Sequence, residues 1–179
     1  MRRLFTFNML VLSAGLVASA LGAGDEGKKD APITAKAAFD RLKTMAGEWK
    51  NLGTPCNEEA NDQVQYKVTG GGSALVETSS PGTKMEMISV YHLDGDDLKM
   101  THYCAAQNQP RLKLDRAASK PDHLVFTFDG GTNIDKEKGL YVSGLVLDFL
   151  SDSRVKADWQ STQGPKKENM AFELTRETK

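Results

Sequence analysis

The chain has 179 residues, 39% of them hydrophobic and 26% charged, with 23 Lys+Arg against 24 Asp+Glu and two cysteines. That length suits one globular domain with a full-sized core, and a formal net charge of -1 gives no general attraction to phosphate backbones, which excludes nucleic acid as an expected partner. Two cysteines cannot build a disulfide scaffold or a four-thiolate zinc site, so the fold has to rest on its core.

The chain opens with Arg2 and Arg3, runs through Leu10, Val11, Leu12, Leu16 and Val17, and reaches small residues before any acid appears. This is the three-part layout of a secretory leader, with Ala18-Ser19-Ala20 fitting the small-x-small cleavage pattern and Ala23 a later alternative. Residues 1–23 are therefore expected to be a signal peptide, which makes the mature protein periplasmic or secreted. The apolar stretch is shorter than a spanning helix requires, so no stable membrane insertion is expected after cleavage. Arg2-Arg3 also resembles a twin-arginine signal, which leaves the export route open. Removing Arg2 and Arg3 with the leader takes 23 basic residues to 21 against 24 acidic ones, a charge of -3. Residues 24–33 are charged, Gly-containing and aperiodic, as in a flexible spacer, and the folded domain is expected over 34–179.

From Thr34 to Ala46, the apolar residues Ala38, Phe39, Leu42, Met45 and Ala46 recur at helical intervals, and Thr34 is placed to cap. After Gly47 the helical period stops. Segments expected as strands follow at 47–51, 63–69, 73–79, 84–93, 97–105, 111–116, 123–129, 140–150, 154–161 and 168–176. They are separated by Gly70-Gly71-Gly72, Pro81-Gly82, Asp94-Gly95, Asn108-Gln109-Pro110, Ser119-Lys120-Pro121-Asp122, Asp129-Gly130-Gly131, Ser151-Asp152-Ser153 and Gly164-Pro165. Strands joined by short turns form an antiparallel meander, and closing it removes the exposed edges. The expected fold is all-β: an up-and-down barrel of about ten strands with one N-terminal helix, a two-sheet sandwich being the alternative.

The hairpin around Asp94-Gly95 shows which way its strands face. A two-residue turn there sets Tyr91 opposite Leu98, Ser89 opposite Met100 and Met87 opposite His102; a longer loop shifts the partners but keeps the faces. One face holds Met85, Met87, Ser89, Tyr91, Leu98, Met100, His102 and Cys104. The other gathers the charges Lys84, Glu86, Asp97 and Lys99, so the first should point inward.

Phe39-x-x-Leu42-x-x-Met45-Ala46-Gly47-Glu48-Trp49 puts a short helix directly before a Gly-x-Trp that opens the first strand. This resembles the calycin superfamily of lipocalins, fatty-acid-binding proteins and nitrobindin-like barrels, and residues 85–112 are similar to exported bacterial lipocalin-like proteins. The resemblance implies a barrel with Trp49 at its closed end beneath a ligand cavity. No histidine follows His123, so the C-terminal haem ligand of nitrobindin-like proteins has no counterpart, and no cofactor is expected.

The expected function is non-covalent binding of a small, largely apolar molecule. Met85, Met87, Tyr91, Met100, His102 and Trp159 would line the cavity with Trp49 at its base, and Arg111 would stand at its mouth to meet an anionic group. Two rivals remain: an enzyme using His102 as acid or base, with Tyr91 or Asp148 as partner, and a solid-core structural or interaction protein. His92, His102 and His123 lack zinc-ligand spacing, and only His102 with Cys104 shares a face, so no metal site or catalytic set is expected. Outside the cytoplasm Cys56 and Cys104 become a possible disulfide. The oligomeric state is left open.

Overall fold

A computed structural model describes residues 32–53 and 58–177. The leader, nearly all of the spacer, and Cys56 with its proposed bridge to Cys104 lie outside those residues.

The helix α1 (Ala35–Lys43) starts where Thr34 accepts a hydrogen bond from the Ala37 amide at 3.1 Å, satisfying one of the helix's unpaired N–H groups. Ala35, Ala38, Phe39 and Leu42 form its buried stripe. Ile33, expected to end the spacer, is 9% exposed and its carbonyl accepts from Arg116 Nε at 3.1 Å, so it packs with the helix and the barrel.

Ten strands follow: β1 (Gly47–Asn51), β2 (Gln63–Thr69), β3 (Ala74–Ser79), β4 (Met87–Asp94), β5 (Asp97–Tyr103), β6 (Gln109–Leu114), β7 (His123–Thr132), β8 (Leu140–Ser151), β9 (Arg154–Gln163) and β10 (Lys166–Arg176). Each pairs antiparallel with its neighbours in sequence, and β1 pairs with β10 through Trp49↔Arg176 and Asn51↔Leu174. The barrel is closed, which settles the choice against a sandwich.

Several local expectations differ from the structure: residues 84–86, expected in a strand, precede β4, and Gln109 and Pro110, expected in a turn, begin β6. The β4–β5 turn is Gly95-Asp96 rather than Asp94-Gly95, because Gly95 takes the first turn position at φ +59°. The register accordingly pairs Tyr91 with Met100 and Ser89 with His102. Faces are unchanged by this two-residue shift, and Ser89, Tyr91, Leu98, Met100 and His102 are all buried. Asp129-Gly130-Gly131 is not a turn but lies inside β7, where the glycines face an irregularity in β6 between Pro110 and Leu112.

The meander divides the loops between two ends. At the helix end, Ala38, Phe39, Leu42 and Met45 pack with Trp49 and with inward residues of the wall such as Leu98, Met100, Leu112 and Leu124. Burying one leucine there stabilises the fold by roughly 2–3 kcal/mol. Arg176 fastens this end: its Nη1 and Nη2 donate to the Ala46 and Thr44 carbonyls at 2.8 and 2.6 Å, and its guanidinium sits 4.4 Å from the Trp49 ring centroid. The half of the barrel away from the helix is not filled.

Candidate functional site

A cavity of about 280 Å³ occupies that half and opens between the β1–β2, β3–β4, β5–β6 and β7–β8 connections. Its wall is mainly apolar, with Met87, Leu147, Trp159, Phe172 and Leu174 from strands around the barrel and Met85 from the β3–β4 connection. Met170 and Leu140 line it too and are 48% and 45% exposed, which puts them at the rim.

A polar row crosses one side. Tyr66 on β2 pairs with Glu77 on β3, Glu77 with Ser89 on β4, and Ser89 with His102 on β5, so four inward side chains stand side by side at one level. Direct cross-strand neighbours lie close enough to bond. The Tyr91 hydroxyl donates to Glu77 Oε2 at 2.7 Å, and Tyr66 also hydrogen-bonds this carboxylate. Ser89 Oγ lies 3.0 Å from His102 Nδ1 and also bonds the Tyr91 hydroxyl. Which of Ser89 Oγ and His102 Nδ1 donates follows the tautomer of the imidazole.

Burial dominates the electrostatics of this row. Loss of solvent pushes the Glu77 carboxyl up to about 7, against the opposing hydrogen bonds from Tyr91 and Tyr66. It pushes the His102 imidazole down to about 4, so the ring is neutral near pH 7. Tyr66 and Tyr91 are raised well above the ordinary phenol value by burial first and by the Glu77 charge second, and both remain protonated donors. No cation is among the groups acting on Glu77.

Of the residues named from sequence, Met85, Met87, His102 and Trp159 line the cavity together, and the His102 and Trp159 rings lie 5.1 Å apart. Trp49 sits one layer beneath. Its indole N–H donates to the Met45 carbonyl at 2.6 Å and its ring meets the Tyr66 ring edge-on, so it supports a wall residue without touching the cavity. Tyr91 is 1% exposed and Met100 fully buried; neither lines the space, although Tyr91 acts on it through Glu77.

Arg111 is placed differently from expectation. Pro110, Leu112 and Leu114 are the inward residues of β6, so strand alternation turns Arg111 outward, among the charges of Asp129, Lys99 and Lys113 and away from the mouth. Asp148 also faces outward, where its Oδ1 bonds His123 Nδ1 at 2.6 Å, and it cannot partner His102. Cys104 lines the cavity beside Ala105 and Ala106. Among the described residues no three His, Cys, Asp or Glu side chains converge as metal ligands would.

Ser89 and His102 have the contact that a nucleophile and base require. Yet Ser89 is 1% exposed and does not line the cavity, so its hydroxyl holds the imidazole in place and meets no reactant. Tyr66 and Glu77 were not singled out from sequence. The signal was present in Leu75-Val76-Glu77-Thr78-Ser79, where alternation puts a carboxylate on the same face as a core leucine.

No family model matches this chain, and a search of curated proteins finds no match.

Proposed function

We propose that this protein binds a small, largely apolar molecule inside its barrel, non-covalently, and does so outside the cytoplasm after loss of residues 1–23. The observation that carries the reading is the unequal filling of the barrel. The helix end is packed to the axis, whereas the other end keeps about 280 Å³ of space walled by Met, Trp, Phe and Leu side chains. Such a hollow leaves apolar side chains without packing partners, and a bound molecule supplies those contacts. An engineered apolar cavity of roughly 150 Å³ takes up benzene, so this space suits a molecule of one or two rings. Met85 and Met87 adapt to its outline. Trp159 offers a flat wall, and His102 a polar ring edge beside it. A closed ten-strand meander with one helix is consistent with a calycin-like barrel, where binding in the interior is common.

The test is native mass spectrometry of the purified mature chain, followed by titration with the neutral probe N-phenyl-1-naphthylamine. A co-purifying small molecule, or saturable fluorescence enhancement abolished by Met87→Trp, is the expected result. An apo mass together with no probe binding would overturn the reading and leave a protein that works through its surface.

A further inference from the structure

We propose that the cavity's ligand carries a protonated amine that pairs with Glu77, its apolar body lying against Trp159 and Phe172. This rests on the cavity being a binding site and goes beyond it by naming the charge of the occupant.

Glu77 is 6% exposed and is one of the residues lining the cavity. Tyr66 and Tyr91 both direct hydroxyls at it, a donor arrangement that suits a carboxylate acceptor. Every ion pair of the described residues lies elsewhere, with its charges at or near the outer surface and the rim. A buried carboxylate without a cationic partner is costly. Here that cost is borne beside a hollow that can admit a counter-ion. A ligand ammonium completes a buried ion pair already hydrogen-bonded on its acidic side. A neutral ligand leaves Glu77 to be protonated or unpaired. A ligand carboxylate would face a second anion at close range in a water-poor space.

The surroundings reinforce the sign. Titratable neighbours of Glu77 are Tyr66 from β2, Tyr91 from β4 and, two strands along, His102 from β5; the phenols and the imidazole are neutral near pH 7. Nearer the rim stand Asp62, ion-paired with Lys50 at 3.0 Å, and Cys104. Strands β9 and β10 contribute Trp159, Phe172 and Leu174 to the lining, none of them charged. No resident positive charge in that set competes with the ligand's. A cation entering the hollow also meets the Trp159 ring, whose face attracts positive charge.

Three probes with one ring and different charge decide the matter: phenethylamine, 2-phenylethanol and phenylacetate, each titrated calorimetrically into the mature chain at pH 8.0 and pH 5.5. Phenethylamine should bind tightest at pH 8.0, on the order of tenfold more strongly than the alcohol, and weaken on the order of tenfold or more at pH 5.5 as Glu77 takes up its proton. The alcohol should change little over that range, and phenylacetate should bind least. Glu77→Gln should lose the preference for the amine while retaining the alcohol; if that variant does not fold, the wild-type charge and pH series is decisive by itself. Equal binding of amine and alcohol at pH 8.0 would overturn the proposal and leave apolar binding intact. Failure of all three probes and of N-phenyl-1-naphthylamine would remove both readings.

Discussion

Glu77 and His102 face one cavity from β3 and β5 with Ser89 paired between them, and burial moves their ionisations in opposite directions, the carboxyl up to about 7 and the imidazole down to about 4. The consequence is a partial cancellation in stability. Glu77 binds its proton more tightly folded than unfolded, so its contribution is full below pH 4.5 and is lost as pH rises through about 7. His102 binds its proton less tightly folded, so its contribution is full above pH 6.5 and is lost as pH falls toward about 4. Each swing is on the order of 3 kcal/mol. Between roughly pH 4.5 and 6.5 the two slopes oppose each other, and urea unfolding of the wild type should vary little from this pair. Glu77→Gln should expose the rise with pH due to His102, and His102→Gln the fall with pH due to Glu77. Two variants with the wild-type profile would show that neither group is buried as described.

A second expectation concerns the closed end. Arg176 joins the last strand to the turn after α1 through the Ala46 and Thr44 carbonyls while covering the Trp49 ring. A lysine keeps the charge but not the fork that reaches two carbonyls at once. Arg176→Lys should destabilise by about 1–2 kcal/mol in chemical denaturation and Arg176→Ala by about 2–3 kcal/mol. Probe affinity should be unchanged in both, since this contact lies at the end opposite the cavity. A loss of binding with no loss of stability would contradict that separation.

Strand positions were legible because nearly every break carries turn chemistry, and the inward face of β4 and β5 because charge collects on the other side. What escaped was of two kinds. Parity at β6 was lost because Pro110 reads as a turn residue yet lies in the strand, buried at an irregularity, which turns Arg111 outward. Depth was invisible as well: Met87 and Met100 share a face in the sequence, but only the filling by α1 decides that Met100 is core and Met87 cavity wall. Glu77 escaped for another reason, because a lone glutamate in a strand ordinarily faces water. Its burial depends on Tyr66 and Tyr91 arriving from the two neighbouring strands.

That difference in depth is measurable. Met100→Ala removes a fully buried side chain from packed surroundings and should destabilise by about 2–4 kcal/mol, leaving probe affinity nearly unchanged. Met87→Trp puts volume into existing space and should change stability by no more than about 1 kcal/mol while blocking the probe. Thermal unfolding and probe titration on both variants separate the effects. If Met87→Trp destabilised as much as Met100→Ala, the cavity would have to be smaller than described.

Two glycines without positive φ test how the barrel accommodates its irregular strands. A Cβ on Gly131 would lie 2.9 Å from Pro110 Cα and 2.8 Å from the Gln109 carbonyl oxygen, both main-chain atoms held by β6–β7 pairing. Relief requires the two strands to separate. A Cβ on Gly144 would instead meet Gln160 Oε1 at 2.7 Å, the far end of a flexible side chain, with the Phe126 carbonyl at an ordinary 3.4 Å. Gln160 can swing into the cavity that it lines. Gly131→Ala should therefore cost about 2–3 kcal/mol of unfolding free energy, and Gly144→Ala less than about 1 kcal/mol. Gly144→Ala should carry its penalty in binding, because the displaced amide takes up ligand space. Equal destabilisation of the two variants would mean that Gln160 is held in place as firmly as the β6 backbone.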